Sequence, residues 1–173
     1  MKTEKLVVSI QAAAALLLVG LCFLIADSLR ETVVSVGDRA PSFAITTDSG
    51  KRITNADFGG KVLVLNFWAT WCPPCVDEMP SLQAMAQQLA PKGVVVLGVS
   101  VDKNPAAYQR FLRQARITFA TARDPQSDIS AEYGTFKYPE TYVIDSTGRV
   151  RQKHIGPRDW LDPELVKSIE SLL

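Results

Sequence analysis

Cys72 and Cys75 are the residues whose types and spacing most directly imply chemistry in this 173-residue chain. Two cysteines separated by two residues can form a redox dithiol, supply half of a metal site, or close a small structural loop. A zinc site takes about four ligands, and the sequence otherwise holds only Cys22 and the single histidine, His154. A bond that closes so short a loop constrains the unfolded chain little, so stability alone is a weak reason for the pair. The redox reading is left, with a reversible Cys72–Cys75 disulfide and with no metal and no separate cofactor. Recruiting His154 as the base of a cysteine hydrolase would leave the second cysteine unexplained, and we read it as an ordinary strand residue.

Exchange chemistry needs one sulfur that ionises and one that waits, and the neighbouring elements supply both. Val62 to Trp68 is an apolar, β-favouring run of the length of a strand buried on both faces. After it, Val76, Met79, Leu82, Ala86 and Leu89 recur at helical spacing, and Pro91 and Gly93 end the helix. Cys72 therefore falls at the helix N-terminus, where free amides and the macrodipole stabilise a thiolate, and Cys75 lies one turn deeper. Cys72 can attack a target disulfide and Cys75 can resolve the mixed disulfide. Pro73 and Pro74 remove two amide donors, which tempers the stabilisation of the thiolate. Glu78, three residues after Cys75, shares its helix face and is expected near the resolving sulfur. Pro80 is expected to kink the helix. Trp71 reads as an apolar rim for the target, and Trp68 as core.

The rest of the pattern builds a scaffold around this strand and helix. Ser42 to Thr46 and Lys51 to Thr54 flank Asp48-Ser49-Gly50 as a hairpin. Val94 to Val101 is a second buried strand, and Asn104-Pro105 starts a helix bearing Tyr108, Phe111, Leu112 and Ala115. Thr118 to Ala122 reads as a short strand, and Asp124-Pro125 caps a short helix that ends at Gly134. Thr141 to Asp145 pairs with Arg149 to Ile155, and Asp162-Pro163 caps a last helix with Leu165, Val166, Ile169 and Leu172 on one face. Strand, helix, strand gives a parallel crossover, while the second half is partly antiparallel, so an α/β fold with a mixed sheet is expected.

The run Val64-Leu65-Asn66-Phe67-Trp68-Ala69-Thr70-Trp71-Cys72-Pro73-Pro74-Cys75, then Glu78 and Pro80, and later Tyr138-Pro139-Glu140-Thr141, resembles the thioredoxin superfamily. Within it, the chain is similar to the exported, membrane-tethered group that includes TlpA, ResA and CcmG, over nearly all of Val36 to Leu173. The resemblance implies a thioredoxin fold with a mixed central sheet flanked by helices and an N-terminal β-hairpin extension. It implies a role in handling disulfides of exported proteins, often apocytochrome c. Cys72 becomes the exposed nucleophile, Cys75 the buried resolving thiol, and Pro139 a cis-proline facing them. A proline opening a strand leaves backbone free to pair with a bound peptide, so Trp71, Tyr138 and Glu140 are expected to bind substrate. By the same resemblance Glu78 is a partly buried acid that exchanges protons with the deeper cysteine, and Glu140 and Asp145 give the site an acidic character.

Leu6 to Ala26 contains no charged residue and as a helix would span roughly 30 Å, one bilayer core. Lys2 and Lys5 precede it, which leaves the N-terminus in the cytoplasm and exports the rest. The expected organisation is a cytoplasmic tip and transmembrane helix over 1–26, a short linker over 27–38, and one thioredoxin-like domain over 39–173. Such a chain sits in the inner (cytoplasmic) membrane with its catalytic domain on the periplasmic side. The run is longer than the roughly 7–15 residues usual in a cleaved signal. Cys22 reads as an apolar residue of that helix. Beyond residue 26 there are 17 basic and 17 acidic residues, which excludes the basic footprint of a nucleic-acid binder. Expected partners are an exported disulfide substrate and an integral-membrane electron donor, with a monomer as the default. The alternatives are a thiol oxidase or isomerase of the same fold, and a copper-binding assembly factor, which would want wider cysteine spacing and a histidine placed as ligand.

Overall fold

The computed structural model describes residues 14–24 and 33–173. Residues 14–24 are helical with exposed side chains, and Cys22 among them is a free cysteine. Among the described residues no helix is long and apolar enough to cross a membrane. The rest of the expected transmembrane segment, residues 6–13 and 25–26, lies outside them.

Seven strands and four helices build Val33–Leu173. The strands are β1 (Ala44–Thr46), β2 (Arg52–Thr54), β3 (Val62–Trp68), β4 (Val94–Ser100), β5 (Ala120–Arg123), β6 (Glu140–Ile144) and β7 (Val150–Ile155). The helices are α1 (Pro73–Leu89), α2 (Pro105–Gln114), α3 (Asp128–Glu132) and α4 (Pro163–Glu170). A five-stranded sheet runs in the order β5-β4-β3-β6-β7. The β3–β4 and β4–β5 pairs are parallel and the β3–β6 and β6–β7 pairs antiparallel, so the sheet is mixed, as the sequence pattern predicts.

Every residue of β3 is buried, because both faces of the sheet are covered. Val62, Val64 and Trp68 face a cluster that includes Met79, Leu82, Met85 and Leu89 of α1 and Val166 and Ile169 of α4. Leu63, Leu65 and Phe67 face the opposite cluster with Phe43, Tyr133 and Tyr142. Each such side chain, fully buried, contributes roughly 1.5–3 kcal/mol. Strand alternation places Asn66 on the same face as Val64 and Trp68, toward α1. Helix α1 continues through Pro80, which is exposed. It gives way to a 3-10 turn over Ala90–Lys92, where Gly93 at φ 101° reverses the chain into β4 as only glycine readily does.

The hairpin β1–β2 forms with shorter strands than expected. Asp48 at its turn accepts hydrogen bonds from Tyr108 and Gln109 of α2 and from Thr121 of β5, which pins the hairpin to the sheet. Strand β5 starts at Ala120 instead of Thr118 because of a side chain of α1. The amide and hydroxyl of Thr118 are taken by the Gln83 side chain, at 2.8 and 2.7 Å, and do not enter the ladder. Of the segment read as linker, 27–38, the described residues 33–38 already join the domain. Val34 is buried, its amide donates to the Tyr133 carbonyl, and Gly37 donates to Val150.

Asn104 and Asp162 cap α2 and α4 as expected, each side chain accepting from two first-turn amides. Asp124 does the same for α3 from further upstream, accepting from the amides of Asp128, Ile129 and Ser130. Asp124→Ala should therefore lower stability by about 1–2 kcal/mol, at the upper end for a lost cap. Urea unfolding checks this, and a loss under about 0.3 kcal/mol would mean that water replaces the carboxylate at no cost.

Candidate active site

Strand β3 ends at Trp68, and the next residues turn sharply into α1. A buried carboxylate holds that turn: Asp102, just past β4, accepts from the Thr70 amide at 2.8 Å, the Thr70 hydroxyl at 2.6 Å and the Ser100 hydroxyl at 2.6 Å. Cys72 is the N-cap of α1 in extended conformation, with Pro73 at the first helical position. Cys72 and Cys75 are joined as a disulfide with their Cα atoms 5.3 Å apart, within the usual range.

Cys75 is fully buried, while Cys72 keeps 6 % of its surface. The expected order of accessibility holds, although Cys72 is itself nearly buried. Its backbone carbonyl accepts from the Cys75 and Val76 amides at 3.0 and 3.1 Å, and its own amide donates to Ala69. Pro73 and Pro74 have no amide hydrogen. All four amide positions of the first turn are thus either absent or committed to the backbone.

The Tyr138–Pro139 peptide bond is cis, as the resemblance implies. Pro139 is buried, and the Tyr138 carbonyl oxygen lies 3.5 Å from Cys72 Sγ. Trp71 is 62 % exposed and packs edge-on against Tyr138, with ring centroids 6.1 Å apart. Beside this pair opens a cavity of about 550 Å³, walled by Thr70, Val101, Asp102 and Ala107. Trp71 and Tyr138 therefore line a cavity with room for a target side chain, and the Tyr138 carbonyl links that surface to the Cys72 sulfur.

Glu78 sits on the inner face of α1 and is 3 % exposed. Its Oε1 accepts from Asn66 Nδ2 at 2.9 Å. Its Oε2 accepts from the Arg158 amide at 3.0 Å and the Trp160 indole at 3.2 Å. Burial pushes the Glu78 carboxyl up from its ordinary value, and the bonds from Arg158, Asn66 and Trp160 oppose the rise without cancelling it. A cavity of about 390 Å³ is lined by Glu78 together with Pro80, Ser81 and Pro157.

Glu140 is buried and not a free acid at the rim. Its Oε1 lies 2.9 Å from Lys153 Nζ and accepts from the Tyr142 hydroxyl at 3.0 Å. Burial works against the Lys153 ammonium, yet the bonds to Glu140 and Tyr142 raise its pKa overall. Asp145 is a turn residue: burial opposes its charge, but bonds from Thr147, Arg149 and Arg151 hold the carboxyl well below the usual carboxylate range. His154 lies in β7, bonded to Gln152 and stacked edge-on to Trp160 at 5.6 Å, and burial together with the Arg158 charge lowers its pKa. Among the described residues no group of three or more candidate ligand side chains is placed to hold a metal ion.

Asn66, Asp102 and Trp160 did not stand out as site residues in the sequence. Asn66 carried a signal, because a polar residue in the middle of a fully buried strand must bond to something. Trp160 carried none, being 82 positions from the glutamate it meets.

Residues 36–153 match the model of the AhpC/TSA family. The chain is 35% identical over 127 residues to the thiol-disulfide oxidoreductase ResA of Bacillus thuringiensis, covering 73% of each chain. It is 35% identical over 131 residues to the thioredoxin-like protein YneN of Bacillus subtilis, covering 75% of this chain and 76% of that one. Among solved structures, a thiol:disulfide interchange protein of the thioredoxin family from Chlorobium tepidum superposes with a TM-score of 0.69 at 29% identity, over 79% of this chain and 98% of that one. With the mixed sheet, the helix-capping disulfide and the cis-proline already in place, these matches show that the chain belongs to the AhpC/TSA family and is a thioredoxin-like protein-disulfide oxidoreductase.

Proposed function

We propose that this oxidoreductase works as a reductant of disulfides in exported proteins, apocytochrome c among them, held at the membrane by residues 1–26 and recharged by an integral-membrane electron donor. The Cys72 thiolate attacks one sulfur of the client disulfide, and the other client sulfur leaves and takes a proton. Cys75, giving its proton to Glu78, then attacks Cys72 Sγ, and the second client sulfur leaves as a thiolate that takes a proton from solvent. Two electrons pass to the client, and the Cys72–Cys75 disulfide is left for the donor to reduce.

The observation that supports this direction is the commitment of the first-turn amides. Strong oxidants of this chemistry owe their potential to a stabilised dithiol form. Here Pro73 and Pro74 offer the Cys72 thiolate no donor, and the Cys75 and Val76 amides are spent on the Cys72 carbonyl. Only the helix macrodipole remains from α1 to stabilise the thiolate. A weakly stabilised dithiol gives its electrons away.

Placement is tested by a reporter fused after Leu173, which should act outside the cytoplasm on a product that retains Met1. A mature N-terminus near Asp27 would remove the anchor from this account. The client class is tested with a disulfide peptide of the Cys-x-x-Cys-His type. The dithiol protein should reduce it faster than it reduces glutathione disulfide, and the reverse preference would count against apocytochrome c.

A further inference from the structure

The two oxygens of Glu78 stand in chemically unequal surroundings. Oε2 meets the Trp160 indole and the Arg158 backbone amide, groups that can only donate a hydrogen bond. Oε1 meets Asn66, a primary amide that donates from one end and accepts from the other. Asn66 is fully buried, its Nδ2 bridges Glu78 Oε1 and Thr141 Oγ1 at 2.9 Å each, and its Oδ1 has no hydrogen-bond partner.

The geometry points to Asn66 as a positioning residue that lets Glu78 carry its proton on Oε1, by a half-turn of the Asn66 amide that follows the proton. This rests on the reading of Glu78 as the proton acceptor for Cys75. With the carboxylate ionised, all three neighbours donate to it, as observed. When a proton arrives, an O–H at Oε2 would be opposed by two fixed N–H groups. At Oε1 the same O–H forces only the Asn66 amide to turn. After the turn, Oδ1 accepts from Glu78 Oε1–H and from the Thr141 hydroxyl, while Oε2 keeps both of its donors. No bond to carbon or sulfur changes in this step, and the proton is the only species gained. The orphaned Oδ1 is the sign that the amide is not locked: one end is unpartnered in either orientation, Oδ1 now and Nδ2 after the turn, so neither is strongly preferred on its own account.

Of the three groups bonded to Glu78, only Asn66 has an acceptor end that it can turn to the carboxyl. Strands β3 and β6 present the neutral Asn66 and Thr141. Asp77, Arg158 and Asp159 line the cavity shared with Glu78, His154 stands behind Trp160, and Cys75 lies one turn back along α1. Burial keeps the carboxyl within reach of a proton above the usual carboxylate range.

The test is a pH titration by NMR of the oxidised full-length chain in detergent, labelled with ¹³C at glutamate carboxyls and ¹⁵N at asparagine side chains. Glu78→Gln identifies the Glu78 signal by its loss. The Asn66 NH₂ signals should titrate with the same midpoint as Glu78, and their contact with the Thr141 side chain should be lost on the acid side. Trp160→Phe removes a donor that bonds the ionised carboxylate more strongly than the neutral acid, so it should raise the midpoint by about one pH unit. An Asn66 amide that keeps its contact with Thr141 throughout would overturn the half-turn. A Trp160 indole signal that reports a broken bond on the acid side would place the proton on Oε2 instead. A Glu78 carboxyl that stays ionised from about pH 4 upward would overturn the proton-acceptor reading itself, and this proposal with it.

Discussion

Cys72→Ser should bring disulfide exchange down to the uncatalysed rate, whereas Cys75→Ser should accumulate a mixed disulfide between Cys72 and its client. The asymmetry follows from position. Cys72 caps α1 and holds the pair's only accessible surface, next to Trp71 and the Tyr138 carbonyl. Cys75 is fully buried and can reach only the sulfur of Cys72. A serine hydroxyl at position 72 has no thiolate to offer, so the first step is lost altogether. At position 75 it leaves the first step intact and removes the second. Non-reducing electrophoresis with mass spectrometry checks both variants. A client trapped through Cys75 in the Cys72→Ser variant would reverse the assignment.

Glu78→Gln should fold and slow the resolution of mixed disulfides by about 10²-fold, the lower range for a lost general acid–base group. It should also flatten the pH profile of that step. Gln fits this site for the reason that protonated Glu78 does. Its oxygen can accept from Arg158 and Trp160, and its NH₂ can donate to an inverted Asn66. The first step should keep its wild-type rate, because Glu78 makes none of the contacts to Cys72. Stability carries a second signature. Burial raises the folded-state pKa of Glu78, so its contribution is fully present below the unfolded carboxyl value and is lost as pH rises through the folded one. The variant should lack that decline. Equal resolution rates and pH profiles for both proteins would leave Glu78 with a structural role only.

Much of the frame is legible in the sequence because it depends on short-range pattern. The β3 run, the Asn104 and Asp162 caps and the β6–β7 turn are each specified by neighbours within about ten residues. The errors came from side chains that reach across the fold. Thr118 looks like a strand residue until Gln83 takes its amide and hydroxyl. Val34 lies in a polar stretch that reads as linker, and is buried because Tyr133 and Lys153 reach it. Within α1 the apolar stripe included Val76, which is only half-buried, and passed over Met85, which is fully buried. At the site, the cysteine pair and Pro139 were found from local motif. The partners of Glu78 were not, because the Asn66, Arg158 and Trp160 contacts close over 12 to 82 positions of sequence. Glu140 shows the limit of local reading: its acidity was visible, but the ammonium of Lys153 that neutralises it sits on the next strand.

The measurement that bears most directly on the account is the midpoint potential of the Cys72–Cys75 pair, read by equilibrating the full-length protein against dithiol–disulfide buffers and alkylating the free thiols. The reducing end of this chemistry lies near roughly −270 mV and the oxidising end near roughly −120 mV, and a shift of about 30 mV is worth about 1.4 kcal/mol. A Cys72 thiolate without first-turn amide donors predicts a single two-electron transition nearer the reducing value, with Cys22 alkylated alike at every potential. A midpoint near the oxidising value would contradict the proposed direction, and a pair that does not cycle reversibly would contradict the account as a whole.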